Sequence, residues 1–330
     1  MGIQNGEQIL EMMRSYQVPC MLAAAADLDL FEKLVSVPRT ATEVATATGY
    51  DLRGVTILLD ALAAVKIIVK KNNHYSISPE LVPYLSEESP QSVIAMIRHQ
   101  ANCLRRWSRL PWTIKTGKPD DPGPSILGKE VDTASFIEAM NVVSRGIADK
   151  LIQEIHPGNV RCVLDLGGAS GSWTLAWLKA EPTSRAIIFD LPYVIPIACE
   201  RLAASPFKAR VELQAGDFNT DDLPKGADLA WVSAIIHQNS RDQNRALYQR
   251  VATALEHHGW IHIRDIIMDS SRTAPVAGAL FAVNMLSGTE GGNCYSFAEI
   301  QEDLQSAGFT GVELVRRDEG MHSIVRARVR

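Results

Sequence analysis

Several side chains able to do chemistry stand at the ends of apolar runs in the later part of the chain. Asp190 closes the run Ala186-Ile-Ile-Phe189, and a carboxylate there can accept hydrogen bonds from both hydroxyls of a ribose. Gly216-Asp217-Phe218 follows the next run and offers a base one carboxylate and one aromatic ring. Ser233 ends a further run, His237 stands four residues beyond it, and Asp265 closes the run after that. Imidazole titrates near neutrality, so His237 can take a proton from an attacking group. Ahead of them all comes Gly167-Gly-Ala-Ser-Gly171. Glycine there lets the backbone pass close to a ligand, and the first N–H groups of a following helix face whatever fills the turn.

These residues need a scaffold, and the hydrophobic pattern supplies one. Strands are predicted at 161–166, 186–190, 210–214, 227–234 and 259–266, with two more near 311–315 and 322–328. Helices are predicted at 172–180, 192–204, 240–256 and 297–307. The alternation implies an α/β, doubly wound, mostly parallel Rossmann-like sheet, with ligands beyond the carboxyl ends of its strands. Strand, glycine turn, helix, strand, acid reads as its nucleoside-binding half. His257-His258 has no carboxylate or cysteine at ligand spacing, so it reads as the basic end of helix 240–256 and not as a metal site.

The N-terminal part is mainly helical. Residues 7–34 carry a helical pattern, Thr40 and Glu43 have capping-box spacing before a short helix ending near Gly49, and 52–65 forms a longer helix. Ile67–Val69 and Tyr75–Ile77 flank a polar turn, Lys70–His74, as a small hairpin. Helix, turn, helix, hairpin is a winged-helix order. Helical patterns resume at 90–118 and at 136–155, where His156-Pro-Gly158 stops them. The proline- and glycine-rich stretch 116–124 between them is the expected junction of two domains, 1–118 and 119–330.

Composition narrows the function classes. At 330 residues, with 46% hydrophobic and 22% charged residues, the chain can hold two real cores. A net charge of −5 argues against nucleic acid as the main partner, and helix 52–65 has Arg53 as its one basic residue before Lys66. No apolar run approaches the roughly 18 residues of a membrane span. The five cysteines are scattered without a C-x-x-C pair, which fits reduced thiols, a cytoplasmic location and no zinc. The glycine turn lacks the G-x-G-x-x-G spacing of a dinucleotide site, which sets a nicotinamide dehydrogenase aside.

On these motifs the sequence resembles the cation-independent class I small-molecule O-methyltransferases of plants and bacteria. The resemblance spans nearly the whole chain. It rests on Val163–Gly171, Asp190-Leu-Pro192, Gly216-Asp217-Phe218, Ser233-Ala-Ile-Ile-His237, Gly259–Asp265, Asn284-Met-Leu286, Gly291-Gly292 and Ala307-Gly-Phe309. It implies an N-terminal winged-helix dimerisation domain, a homodimer, and a C-terminal domain binding S-adenosyl-L-methionine (SAM). It also implies roles. Gly167, Gly168, Ala169 and Gly171 would hold the methionine end of the cofactor, Asp190 with Leu191 the ribose, Asp217 and Phe218 the adenine, and Ser233 the same site. His237 would be the general base, with Asp265 orienting its ring. Met140 and Asn284 match positions beside a small-molecule acceptor, and Trp107 and Phe136 are added as candidates for the same wall. The chain departs from the family at two places. His237-Gln-Asn239 stands where His-Asp-Trp is common, and Cys294 stands where many members have a glutamate. An aromatic or conjugated hydroxyl is the expected acceptor. N- or C-methylation, and a non-methylating reaction on the same cofactor, are alternatives that share the fold.

Overall fold

The computed structural model describes residues 2–155 and 158–330. The chain forms two compact units. One runs up to Arg105 and includes Pro122–Val142, and the other joins Arg106–Asp121 to Val143–Arg330. These units are not the linear halves 1–118 and 119–330, because the chain passes between them three times.

In the first unit, Asn5 caps α1 (Gly6–Arg14) by accepting the Gln8 N–H at 3.0 Å. The expected helix 7–34 is interrupted at Ser15, whose N–H and hydroxyl both turn back to the Met12 carbonyl. It resumes as α2 (Gln17–Asp27) and α3 (Glu32–Val35). The Thr40–Glu43 capping box opens α4 (Ala41–Thr48), and α5 (Leu52–Ala64) follows behind an Asp51 cap. Strands β1 (Val69–Lys71) and β2 (His74–Ser76) pair with a tighter turn than the one expected over Lys70–His74. Only Asn72 and Asn73 lie between them, at φ 49 and 65, a conformation that asparagine tolerates and a two-residue hairpin requires. Leu30, Phe31, Leu34, Val44, Leu59 and Leu62 form the unit's core.

The short helix α6 (Val82–Leu85) precedes the predicted helix 90–118, which is split into α7 (Ile94–Trp107) and α8 (Leu110–Thr116). Pro111 has no N–H to continue a helix and instead sits in the first turn of α8. The predicted helix 136–155 likewise divides into α9 (Lys129–Ser144) and α10 (Ala148–Ile155), with Gly146 between them. Of the stop signal His156-Pro-Gly158, the first two residues lie outside the described residues.

The second unit is built on a doubly wound sheet, as the alternation predicts. Strands β3 (Cys162–Leu166), β4 (Arg185–Asp190), β5 (Val211–Ala215), β6 (Ala227–Ser233) and β7 (Leu255–Asp265) run parallel. Helices α11 (Ser172–Ala180), α12 (Ile195–Ala203) and α13 (Arg241–Ala254) lie in the connections. A two-residue bridge pairs β8 (Ile267–Met268) with β9 (Tyr295–Ser296) around α14 (Val276–Gly288). After α15 (Phe297–Ser306), β10 (Phe309–Arg316) and β11 (Ser323–Val329) close the sheet antiparallel. Strand order is β10-β11-β7-β6-β3-β4-β5, so the winding reverses between β3 and β6. In such sheets ligands lie at that reversal, beyond the carboxyl ends.

Two differences from the sequence pattern concern this unit. β7 starts at Leu255, so His257 and His258 belong to a strand and not to a helix end. There the pairing with β6 shifts register, His258 takes φ 64, and the two rings meet edge to face at 4.1 Å. Helix α14 is missing from the pattern because its sequence, VAGALFAVNMLSG, is apolar on nearly every side and shows no stripe.

One face of the sheet is lined with Trp173, Trp177 and Trp231 around His262, whose ring is fully buried. Neither ring nitrogen of His262 has a hydrogen-bond partner among the described residues. Burial first, and then the Arg326 charge, pull its pKa down to about 3. The folded state therefore holds this imidazole neutral, while the unfolded chain protonates it below its ordinary value near 6.5. Its contribution to stability is full above about pH 6.5 and is lost as pH falls toward 3, reaching about 2 kcal/mol at pH 5. Urea midpoints measured at pH 7 and pH 5 should drop less in His262→Leu than in the wild type. Equal drops would remove His262 as the cause.

Candidate active site

The glycine turn begins where β3 ends. The Gly167 N–H donates to the Phe189 carbonyl at 2.9 Å, tying the turn to the end of β4, and the Gly171 N–H closes on the Gly168 carbonyl at 2.8 Å. Gly167, Ala169 and Gly171 have φ of 63, 46 and 76. A Cβ on Gly167 would come within 2.7 Å of Ile235 Cδ1, and one on Gly168 within 3.0 Å of the Asp165 carboxylate. A side chain at either place would crowd these neighbours, and at Gly167 the positive φ adds strain.

Asp190 holds the turn in shape. Its Oδ2 accepts the Ala169 N–H at 2.8 Å and its Oδ1 accepts the Leu191 N–H at 2.7 Å. Each carboxylate oxygen has a second lone pair, so the group can still take two hydroxyls. Burial raises its pKa, opposed by the two N–H groups. Beneath the turn, Asp165 accepts the Thr174 hydroxyl at 2.5 Å, and burial pushes its carboxyl up to about 7. Thr174 works against that rise and the Asp190 charge adds to it.

The third strand brings Asp217 and Phe218 to the same edge. The Gly216 N–H donates to the Asp190 carbonyl at 2.9 Å, and a Cβ there would strike the Phe189 ring at 2.3 Å. Asp217 Oδ1 accepts the Asn219 N–H at 2.8 Å. The half-buried Phe218 ring lies 3.6 Å from the place a Gly167 Cβ would occupy. Glycine turn, Asp190 and Phe218 thus converge.

His237 lies in a short helical turn, Ile236–Gln238, just past β6. Its Nδ1 is 2.9 Å from both oxygens of Asp265, the last residue of β7, and Asp265 Oδ1 also accepts the Ile266 N–H at 2.8 Å. Both side chains are buried. A proton on Nδ1, donated to the carboxylate, leaves Nε2 as the basic nitrogen. Ile235, which packs on Gly167, is two residues away, so imidazole and glycine turn share one edge.

Both departures from the family pattern lie in the surroundings of His237. Phe281 of α14 stands edge-on to the imidazole at 4.8 Å. Asn293 N–H donates to the His237 carbonyl at 2.9 Å, and a Cβ on Gly292 would fall 2.5 Å from that carbonyl. Cys294 is 1% exposed, and burial followed by the Asp265 charge pushes its thiol up to about 12, so it is no acid or base near neutrality. Gln238 is exposed and donates to the Ala234 carbonyl at 3.2 Å. Asn239 is buried, donates to Asn244 Oδ1 at 3.1 Å, and its carbonyl accepts the Tyr295 hydroxyl. The residues after His237 therefore fasten its turn to α13 and β9.

Asn284 and Trp107 are brought together: the indole Nε1 donates to Asn284 Oδ1 at 2.9 Å. Phe136 and Met140 lie one turn apart on α9 in the first unit, Phe136 resting against His99 at 5.2 Å. Ser233 Oγ accepts a hydrogen bond from Arg264 Nη1 at 2.8 Å. Asp165, Phe281 and Arg264 were not singled out from sequence. Asp165 had a usable signal, being a charged residue inside the otherwise apolar β3, whereas Arg264 stands in a strand rich in polar residues. Phe281 had none.

A family model described as an O-methyltransferase domain matches residues 125–310, and a second, an O-methyltransferase dimerisation domain, matches residues 10–79. The chain belongs to the O-methyltransferase family. It is 30% identical to 3-hydroxy-5-methyl-1-naphthoate 3-O-methyltransferase of Streptomyces sahachiroi, over 89% of this chain and 87% of that one. It is 30% identical to the tetracenomycin polyketide synthesis 8-O-methyl transferase TcmO of Streptomyces glaucescens, over 94% and 93%. Human N-acetylserotonin methyltransferase, solved in complex with SAM, superposes with a TM-score of 0.82 at 22% identity, over 100% of this chain and 99% of that one.

The enzyme is a SAM-dependent methyltransferase, and its residues fit that cofactor. Asp190 keeps two lone pairs for a diol, and Gly167 and Gly168 stand where side chains would be crowded out. No helix among the described residues is long and apolar enough to cross a membrane.

Proposed function

We propose that this methyltransferase acts on a hydroxyl of a small aromatic or conjugated acceptor, with His237 as general base and Asp265 as its orienting partner. The contact of Nδ1 with both Asp265 oxygens at 2.9 Å, beside the glycine turn, carries this reading. SAM, when bound, would supply an electrophilic methyl group on a sulfonium, the methyl carbon–sulfur bond breaking to leave a neutral thioether. A phenol of pKa near 10 is only about 0.1% ionised at pH 7, so it is a poor nucleophile unaided. Nε2 accepts the phenolic proton as the carbon–oxygen bond forms, and Asp265 stabilises the imidazolium through Nδ1–H. Asp190 would hold the ribose, Asp217 and Phe218 the adenine, and Gly167, Gly168, Ala169, Gly171, Leu191 and Ser233 the rest of the cofactor. Asn284 and Trp107 would line the acceptor's side. The edge of Phe281 beside His237 suits a flat apolar acceptor, and one relative is named for a hydroxynaphthoate.

The test is to offer SAM with hydroxynaphthoates, hydroxylated polycyclic ketones and matching arylamines, and to identify methylated products by mass spectrometry and NMR. Methyl ethers of the phenols are expected. Methylation confined to the arylamines would sink the O-methyl assignment.

A cytoplasmic homodimer completes the proposal. Cys20, Cys162, Cys199 and Cys294 form no disulfide, which suits a reducing compartment. Helix α1 buries none of its residues within the chain and leaves Ile9, Leu10, Met12 and Met13 exposed, inside the stretch matched by the dimerisation-domain model. Apolar surface of this kind is normally covered by a partner. Light scattering at micromolar concentration should give twice the chain mass, and Ile9→Glu with Met13→Glu should shift it toward the monomer. A monomeric wild type ends the dimer reading.

A further inference from the structure

Arg264 precedes Asp265 on β7, and successive strand residues face opposite sides of a sheet, so its side chain runs away from the His237–Asp265 pair. It is 2% exposed. Nη1 donates to Ser233 Oγ at 2.8 Å, Nε donates to His322 Nδ1 at 3.2 Å, and the guanidinium lies 4.5 Å from the centre of the Trp173 ring. None of these partners is an anion. Asp265 is bonded to His237 and Asp318 to Arg316, and both act on Arg264 only through space. Burial lowers the guanidinium pKa to about 10, so it remains a cation at neutral pH. His322 is itself lowered, by burial and then by the Arg264 charge, and accepts as a neutral imidazole.

A buried cation without a bonded carboxylate destabilises a fold unless an anion completes it. The placement of Arg264 indicates which anion. Ser233 ends β6 at the carboxyl edge, two residues before Ile235, which packs on Gly167. Trp173 lies in the first turn of α11, directly after the glycine turn. The guanidinium is thus bracketed by the two elements that border the turn. SAM and its demethylated product each contain a single anionic group, the carboxylate of the amino-acid end.

We propose that Arg264 binds that carboxylate, with Ser233 and His322 fixing the direction of the guanidinium fork. The assignment rests on the cofactor's amino-acid end occupying the glycine turn. It adds a charge-assisted anchor in the strand interior to the backbone cradle.

Calorimetric titration tests it with two ligands: S-adenosylhomocysteine, and the same molecule lacking only the carboxylate. Wild type should bind the decarboxylated ligand at least about 10-fold more weakly. Arg264→Met should weaken S-adenosylhomocysteine by about 10- to 100-fold, leave the decarboxylated ligand nearly unchanged, and so abolish the discrimination. Arg264→Lys keeps the charge without the fork, and should fold and lose part of the discrimination even where the methionine variant does not fold. Equal affinity of wild type for the two ligands, or a substitution that leaves the discrimination intact, overturns the assignment. Wild type that fails to bind S-adenosylhomocysteine at all overturns the cofactor reading and this assignment with it.

Discussion

Exchange of His237 for alanine should lower turnover about 10²- to 10⁴-fold at neutral pH, with SAM affinity changed by no more than about twofold. The affinity should hold because the groups assigned to the cofactor keep their own supports. Asp190 is held by the Ala169 and Leu191 N–H groups, and the glycine turn by Phe189 and Gly168. Turnover should fall because the proton acceptor is gone and the Cys294 thiol, pushed up to about 12, cannot replace it at pH 7. Some loss of stability accompanies the change, since the buried Asp265 loses His237 and keeps the Ile266 N–H. A pH series separates that structural cost from lost proton transfer. Above pH 9 a phenolic acceptor ionises unaided, so the deficit of the alanine variant should shrink as pH rises. A deficit constant across pH would make His237 a packing residue, and full activity at pH 7 would remove it from the mechanism. Asp265→Asn should fall between wild type and His237→Ala, because a neutral amide stabilises imidazolium less than a carboxylate does.

The order of the sheet was readable because its cues are local. Apolar runs ending in Asp190, Ser233 and Asp265 mark strands whose ends lie at one edge, and Gly167–Gly171 marks the turn. Asp265 could be matched to a family position from sequence, but its contact with His237 could not be derived, since 28 residues separate the pair and only the β6–β7 pairing unites them. Helix α14 escaped because a segment with apolar residues on nearly every side has no period to detect, and Phe281 escaped with it. Breaks at Ser15, Pro111 and Gly146 each carried a local signal, although a long apolar periodicity outweighed it. Arg264 shows the opposite case. Between Ile263 and Asp265, in a strand that also carries His262, its sequence gives no sign of burial. Only the placement of β7 between β6 and β11 reveals that the guanidinium is enclosed.

Asp190→Ala should do the reverse of His237→Ala, weakening SAM by at least about 10²-fold while turnover at saturating cofactor changes far less. Two effects add. Each hydrogen bond from a ribose hydroxyl to a buried carboxylate is worth about 1.5–3 kcal/mol, which is about 10- to 100-fold in affinity. The second effect is on the turn. Ala169 sits at φ 46, where an L-residue is strained, and the bond from its N–H to Asp190 Oδ2 holds it there. Without the carboxylate the turn relaxes and must be reordered by the ligand. Asp190→Asn distinguishes the two effects, since one amide oxygen can still accept while the NH₂ faces an N–H it cannot pair with. A ligand lacking the ribose 2′-hydroxyl gives the sharper test. Its loss should cost wild type about 10-fold or more and cost Asp190→Ala almost nothing, because the partner is already gone. The pH dependence has the same origin: burial raises the Asp190 pKa, so its protonation should begin to weaken cofactor binding at a higher pH than an exposed aspartate would. If the 2′-deoxy ligand loses as much affinity in the variant as in wild type, Asp190 shapes the turn without touching the sugar.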